Sequence, residues 1–158
     1  MERGGGYAIY VQPNQARMIL LAEDSQDDAD AVKMVLHQAG VTNAVNTVTD
    51  GDQAVSYIEG EGKYANREQF PFPKVLLLDL VMPRFDGLQV LEWLKVHPLR
   101  ERVVVIVLTG HNDMSRMRLA YALGAKSFLS KPCHVEDIQN LIKAYPLYWS
   151  AVLTQKTC

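Results

Sequence analysis

Ten residues in the middle of the chain, Lys74-Val75-Leu76-Leu77-Leu78-Asp79-Leu80-Val81-Met82-Pro83, restrict its fold more than any others. Val75, Leu76, Leu77 and Leu78 form an unbroken apolar run that leads into one acid, Asp79. A run this short and continuous suits a strand covered on both faces, as in a parallel sheet. The strand stops at the acid. Burying an unpaired carboxylate is costly, and Pro83 cannot donate to a sheet ladder. Asp79 is therefore expected at the carboxyl rim, where open α/β sheets bind ligands. An Asp at a strand end can also be a mere turn former or helix cap, so its chemistry depends on what the rest of the chain brings to that rim.

The same alternation recurs along the chain. Residues 18–22 read as a buried strand ending in Glu23-Asp24-Ser25. Ser25 and Asp28 give a capping-box-like helix start, and Val32, Val35, Leu36 and Ala39 lie on one face of that helix until Gly40. Residues 44–48 form a weaker strand, Asp50-Gly51 a turn, and residues 53–59 a short helix with Ala54, Val55 and Ile58 inward. A polar connection over 60–73 carries three aromatics, Tyr64, Phe70 and Phe72, that can pin it down. After Asp79, Asp86 caps a helix bearing Leu88, Leu91 and Leu94, which ends near His97-Pro98. Residues 103–108 are a fourth strand closed by Thr109-Gly110, and a helix runs from about 113 to 123 before Gly124. Residues 126–130 are a fifth strand ending at Lys131-Pro132, followed by a helix with Val135, Ile138, Leu141, Ile142 and Tyr145. Strand–helix alternation with right-handed crossovers gives a parallel sheet covered on both faces. The reading is a flavodoxin-like doubly wound α/β domain of five strands in the order 2-1-3-4-5.

Composition narrows the function classes. At 158 residues and a net charge of −2, the chain suits one domain and has no basic block for nucleic acid. Its longest apolar stretch, 103–108, is far too short for a membrane span, and the N-terminus lacks the apolar core of a signal peptide. Cys133 and Cys158 make no disulfide framework. A soluble cytoplasmic protein is expected.

The strand ends carry the chemistry. Strand 1 delivers Glu23 and Asp24, strand 3 Asp79, strand 4 Thr109 and strand 5 Lys131, all to one rim. Clustered carboxylates repel, and protonation or a cation relieves them. Hard oxygen ligands with little cage around them suit Mg²⁺, which keeps waters and bridges to phosphate oxygens. Lys131 supplies a compact positive charge and Thr109 a hydroxyl. Such a site suits phosphoryl transfer to a carboxylate, where charge neutralisation and positioning do most of the work.

Five motifs in this order and spacing, Leu21-Ala22-Glu23-Asp24-Ser25, Leu77-Leu78-Asp79-Leu80-Val81-Met82-Pro83, Asp86-Gly87, Leu108-Thr109-Gly110 and Lys131-Pro132, make the chain resemble a response-regulator receiver domain of two-component signalling. The resemblance covers about residues 17–145. It implies that Asp79 accepts a phosphoryl group from a histidine kinase, and that Asp24 and Asp79 ligate Mg²⁺ with the Val81 backbone carbonyl while Glu23 acts mainly through water. It implies that Lys131 and Thr109 bind the phosphoryl oxygens, that Phe128 changes rotamer as the readout, and that the Lys131–Pro132 bond is cis. A plainer reading makes Thr109 a strand-end hydroxyl and Phe128 a core residue. Met114 and Met117 read as helix core, Cys133 as a small apolar filler, and His37 and His97 as helix-surface residues.

Three positions depart from the common receiver pattern. Phe128 lacks the phenol hydroxyl of the frequent Tyr. Val81 is apolar where many receivers have a polar residue. His111 could contact an attacking water. Val81 would leave that water poorly oriented, which suggests a slowly decaying phosphorylated form. Two other classes share parts of the pattern. A flavodoxin-like binder of a planar cofactor would need a phosphate-cradling loop after strand 1, where Glu23-Asp24 stands instead. An Asp-nucleophile phosphohydrolase would want a second acid where Val81 stands. Weak self-dephosphorylation is expected, but not an enzyme with its own substrate.

The expected organisation is a flexible leader over 1–16, the receiver over 17–145 and an apolar extension over 146–158, with no output module. Tyr145, Tyr148, Trp149, Val152 and Leu153 fall at helical spacing; they either fold back onto the domain or form a patch for self-association. With the long 60–73 connection, this tail resembles the small regulators that partner bacterial phytochromes. That resemblance implies a homodimer, through the fourth and fifth helical faces or the tail, and a phytochrome-type sensor kinase as partner.

Overall fold

A computed structural model describes residues 18–110 and 114–149. The proposed leader, His111, Asp113, Val152 and Leu153 lie outside the described residues. The strands are β1 (Ile19–Ala22), β2 (Val45–Val48), β3 (Val75–Asp79), β4 (Val104–Thr109) and β5 (Ser127–Ser130). The helices are α1 (Gln26–Gln38), α2 (Gly51–Glu59), α3 (Gly87–Lys95), α4 (Met114–Ala122) and α5 (Val135–Ala144). All strands pair in parallel, in the order β2-β1-β3-β4-β5, as the sequence predicts.

The apolar runs make the sheet two-faced. Leu20, Ala22, Leu76, Leu78, Val105 and Val107 face one core, beneath α2 and α3. Ile19, Leu21, Val75, Leu77, Ile106 and Leu108 face the other, beneath α1 and α5. Because strand residues alternate faces, a strand covered on both sides must be apolar throughout. The register aligns Leu78 with Ala22 and Asp79 with Leu108, so the acids at the ends of β1 and β3 emerge together. Among the described residues no helix is long and apolar enough to cross a membrane.

Some local expectations change. Asp50 is not a turn residue but the buried N-cap of α2, accepting the Gln53 N–H at 2.8 Å, and the helix starts at Gly51. Ala54 and Ile58 face the core as expected, but Val55 is only half-buried and Tyr57 fills the space beside them. Tyr57, Tyr64 and Phe70 form an edge-packed cluster, with ring centroids 4.9 to 5.9 Å apart, that pins the 60–73 connection. Arg67 completes it, donating to the carbonyls of Tyr57, Ile58 and Phe70 at 2.8, 2.7 and 3.2 Å.

Met114 is 56% exposed and is not helix core; Ala120 is the buried residue of α4. α4 turns Met114, Leu119 and Tyr121 outward, so methionine spacing alone misjudged its inner face. His97 is half-buried rather than a free surface residue. Its ring is tilted against that of Trp93 with centroids 4.6 Å apart, accepts the Leu99 N–H at 3.0 Å and meets Glu59 at 3.2 Å. In the tail, Trp149 is buried against the second core and the Tyr148 carbonyl accepts from Asn43, so the described part folds back onto the domain.

Candidate functional site

The rim is built by strands that end where their apolar runs end. β1 stops at Ala22 and delivers Glu23, which is buried, and Asp24, which is exposed. Glu23 turns back through Oε2 to accept the Ser25 N–H at 3.2 Å. β3 delivers Asp79, whose Oδ1 accepts the Val81 N–H at 2.9 Å and fixes the following loop. Carboxylate oxygens of Glu23, Asp24 and Asp79 all lie within 4.8 Å of one another. Three hard oxygen donors, one already open to solvent, form a donor set that fits a small divalent cation keeping several waters.

Lys131 closes the cluster from β5. Its backbone N–H donates to the Thr109 carbonyl at 2.7 Å, which seats it beside β4. The Lys131–Pro132 peptide is cis, as the sequence resemblance implies. Its Nζ donates to Glu23 Oε1 at 2.9 Å, Asp28 Oδ2 at 3.0 Å and Asp79 Oδ2 at 3.0 Å. Burial alone would lower this ammonium, but the hydrogen bonds to Glu23, Asp79 and Asp28 outweigh it and raise its pKa. Burial pushes the Glu23 carboxyl up to about 7; the Lys131 bond opposes this and the neighbouring Asp79 reinforces it.

Asp28 is the residue that sequence spacing assigned to the wrong task. Its backbone N–H does cap onto Ser25 Oγ at 3.3 Å, but its carboxylate does not complete a capping box. Glu23 already holds the Ser25 N–H, so Asp28 turns to Lys131. No local signal distinguishes these outcomes; only the rim geometry does.

Beside Asp79 opens a cavity of about 200 Å³ lined by Asp79, Leu80, Val81, Leu108, Thr109, Gly110 and Arg116. Thr109 therefore stands with Asp79 in one pocket. Val81 sits at its mouth, 62% exposed. Arg116 reaches in from α4 and donates to the Leu80 carbonyl at 3.2 Å, a contact that sequence spacing did not single out. Phe128 stands apart from the pocket lining, half-buried, with its ring 4.5 Å from that of Tyr121.

The loop after Asp79 is held tightly. A Cβ on Gly87 would lie 2.5 Å from the Asp79 carbonyl and 2.7 Å from the Leu80 Cα. The Gly51 N–H donates to the Phe85 carbonyl at 2.9 Å, and Arg84 pairs with Asp50.

Comparison with known proteins agrees with this geometry. Residues 19–143 match the family described as response regulator receiver domain. Response regulator Rcp1 of Synechocystis is 29% identical over 90% of this chain and 95% of its own length. Its Mn²⁺-bound crystal structure superposes with a TM-score of 0.68. Response regulator RPA3017, described in red light signaling of R. palustris, is 32% identical with a TM-score of 0.77, covering 87% of this chain and 99% of that one. The phosphorylated cyanobacterial phytochrome response regulator RcpA is 30% identical with a TM-score of 0.69, covering 84% of this chain and 93% of that one. The chain belongs to the response regulator receiver domain family, the phosphoryl-accepting component of two-component signalling.

Proposed function

We propose that Asp79 is the phosphoryl acceptor and that the donor is the phosphohistidine of a sensor histidine kinase. The P–N bond of the donor breaks, a bond forms between phosphorus and an Asp79 carboxylate oxygen, and the imidazole leaves and takes up a proton. One observation carries this reading: the Asp79 carboxylate lies at once on the Lys131 ammonium, 3.0 Å away, and on an open cavity large enough for a phosphoryl group. Lys131 neutralises charge on the transferring group, and the Thr109 hydroxyl binds a second oxygen. Asp24, Asp79 and the Val81 carbonyl would hold Mg²⁺, with Glu23 acting through water. When bound, the ion supplies further charge neutralisation at the transferring oxygens. Phe128 serves as the readout by changing rotamer against Tyr121.

The partner fits a phytochrome-type kinase in a cytoplasmic pathway, because RPA3017 and RcpA are described in red-light and phytochrome signalling. Self-association uses the α4 face, where Met114, Leu119 and Tyr121 are exposed, and produces a homodimer. Sedimentation showing only monomer at tens of micromolar would remove the dimer from this account.

Labelling tests the acceptor. Wild-type protein with magnesium takes up phosphoryl from acetyl phosphate or a cognate kinase, and Asp79→Asn takes up none. Equal labelling of the two proteins refutes the assignment.

A further inference from the structure

An ammonium has three N–H donors and accepts nothing. Lys131 spends all three on carboxylates, those of Glu23, Asp28 and Asp79. Phosphorylation releases the Asp79 bond to the new group, but that group brings three acceptor oxygens, so a further Lys131 donor for it must come from Glu23 or Asp28. The three are not equal. The side chains of Glu23 and Asp79 are 1% and 5% exposed, whereas that of Asp28 is 49% exposed. A buried carboxylate that loses its cation is left without solvation. An exposed one is rehydrated at once, and the exposed pair contributes little. Glu23 is further fixed through its second oxygen to the Ser25 N–H, and Asp79 through its own to the Val81 N–H. Asp28 makes no second carboxylate bond among the described contacts, and only its backbone is engaged, at the Ser25 cap.

We propose that Asp28 is a displaceable counter-ion. It occupies one Lys131 donor in the unphosphorylated protein, and Lys131 exchanges it for a phosphoryl oxygen on activation. The residue is a positioning residue, competing with the incoming group for the same N–H. Its carboxylate thereby sets how readily the activated state forms. The inference rests on the acceptor assignment above.

Beryllofluoride with magnesium, which mimics the phosphoryl group, is the probe. Titration is followed by NMR chemical shifts on the full chain. Asp28→Asn and Asp28→Ala are expected to bind the probe about twofold to fivefold more tightly than wild type, the scale of a lost exposed ion pair. Asp27→Asn removes the same charge one residue away without touching Lys131, and is expected to bind within about a factor of 1.5 of wild type, because an exposed charge off the ion pair is largely screened. Asp28→Glu, which can still reach the ammonium, returns affinity toward wild type. Asp28 variants that bind no more tightly than wild type overturn the proposal. So does an equal gain in Asp27→Asn, which would assign the effect to net charge. A wild-type protein that fails to bind the probe at all refutes the acceptor assignment instead, so the two failures are distinguishable.

Discussion

Asp50 and Arg84, which belong to two different rim loops, form an ion pair. Asp50 is buried at the start of α2, and Arg84 closes the loop that follows Asp79 with a left-handed backbone, φ 63°. The pair ties the acceptor loop to α2, next to the Gly51–Phe85 backbone bond. Asp50→Ala removes both the helix cap and the tether. It is expected to lower unfolding free energy by about 1–3 kcal/mol, from the cap and the lost charged hydrogen bond together. Urea denaturation measures it. The same variant should weaken magnesium binding, because the Val81 carbonyl rides on the loosened loop.

Gly87 admits no side chain, since an added Cβ would strike the Asp79 carbonyl. Gly87→Ala is expected to cost about 1–3 kcal/mol by overpacking. It should also reduce acetyl phosphate labelling more than the fall in stability explains, because the displaced backbone carries the acceptor. Labelling rates on protein confirmed as folded by circular dichroism check this.

Glu23 gives the metal-free protein a pH dependence of definite sign. With its carboxyl raised from 4.5 to about 7, the folded state binds more protons than the unfolded chain between those values. Stability from this group therefore falls as pH rises from about 4.5 to about 7, and is level above that. Urea midpoints in EDTA across that window should decline in wild type and decline less in Glu23→Gln. Magnesium competes with the same proton, so its affinity should rise with pH up to about 7 and then level.

Arg67 caps α2 from outside the helix. It satisfies the Tyr57 and Ile58 carbonyls at the helix end, and its guanidinium lies 5.6 Å from the Phe72 ring centroid. Arg67→Met should destabilise the domain by about 2–3 kcal/mol, since two or more charged hydrogen bonds vanish. Arg67→Lys should recover only part, because a point charge cannot reproduce the planar fork. Both are read from urea midpoints.

Val81 stands exposed at the pocket mouth with a side chain that cannot hydrogen-bond a water molecule. Val81→Asn is expected to shorten the life of the phosphorylated form severalfold, because an amide can orient the attacking water. Decay of acetyl-phosphate-labelled protein measures it, and an unchanged decay removes Val81 from the account of lifetime.

The sheet order was legible because the three central strands, β1, β3 and β4, are apolar runs ending in polar rim residues, and the weaker β2 and β5 fall into the strand–helix alternation around them. Asp79 could be named because it ends such a run, whereas Asp24 and Lys131 were named by their place just beyond a strand end. What could not be read were contacts between segments distant in the chain. Asp28 looks like a capping residue until Lys131, 103 positions later, takes its carboxylate. Asp50 looks like a turn former until Arg84 arrives. Met114 looks like core because spacing marks apolar residues without saying which helix face the sheet will cover. Arg67 and Arg116 act on carbonyls, which carry no sequence signature at all.

β3 runs through the centre of the sheet, bonded to β1 on one side and β4 on the other, while β2 and β5 form its margins. Deuterium should enter the β3 amides only when the whole domain opens, and the marginal strands much sooner. On the proposed acceptor assignment, phosphate lands on the least yielding backbone among the described residues, which works as an anvil. The deformation that a partner feels must then be carried by the segments around it.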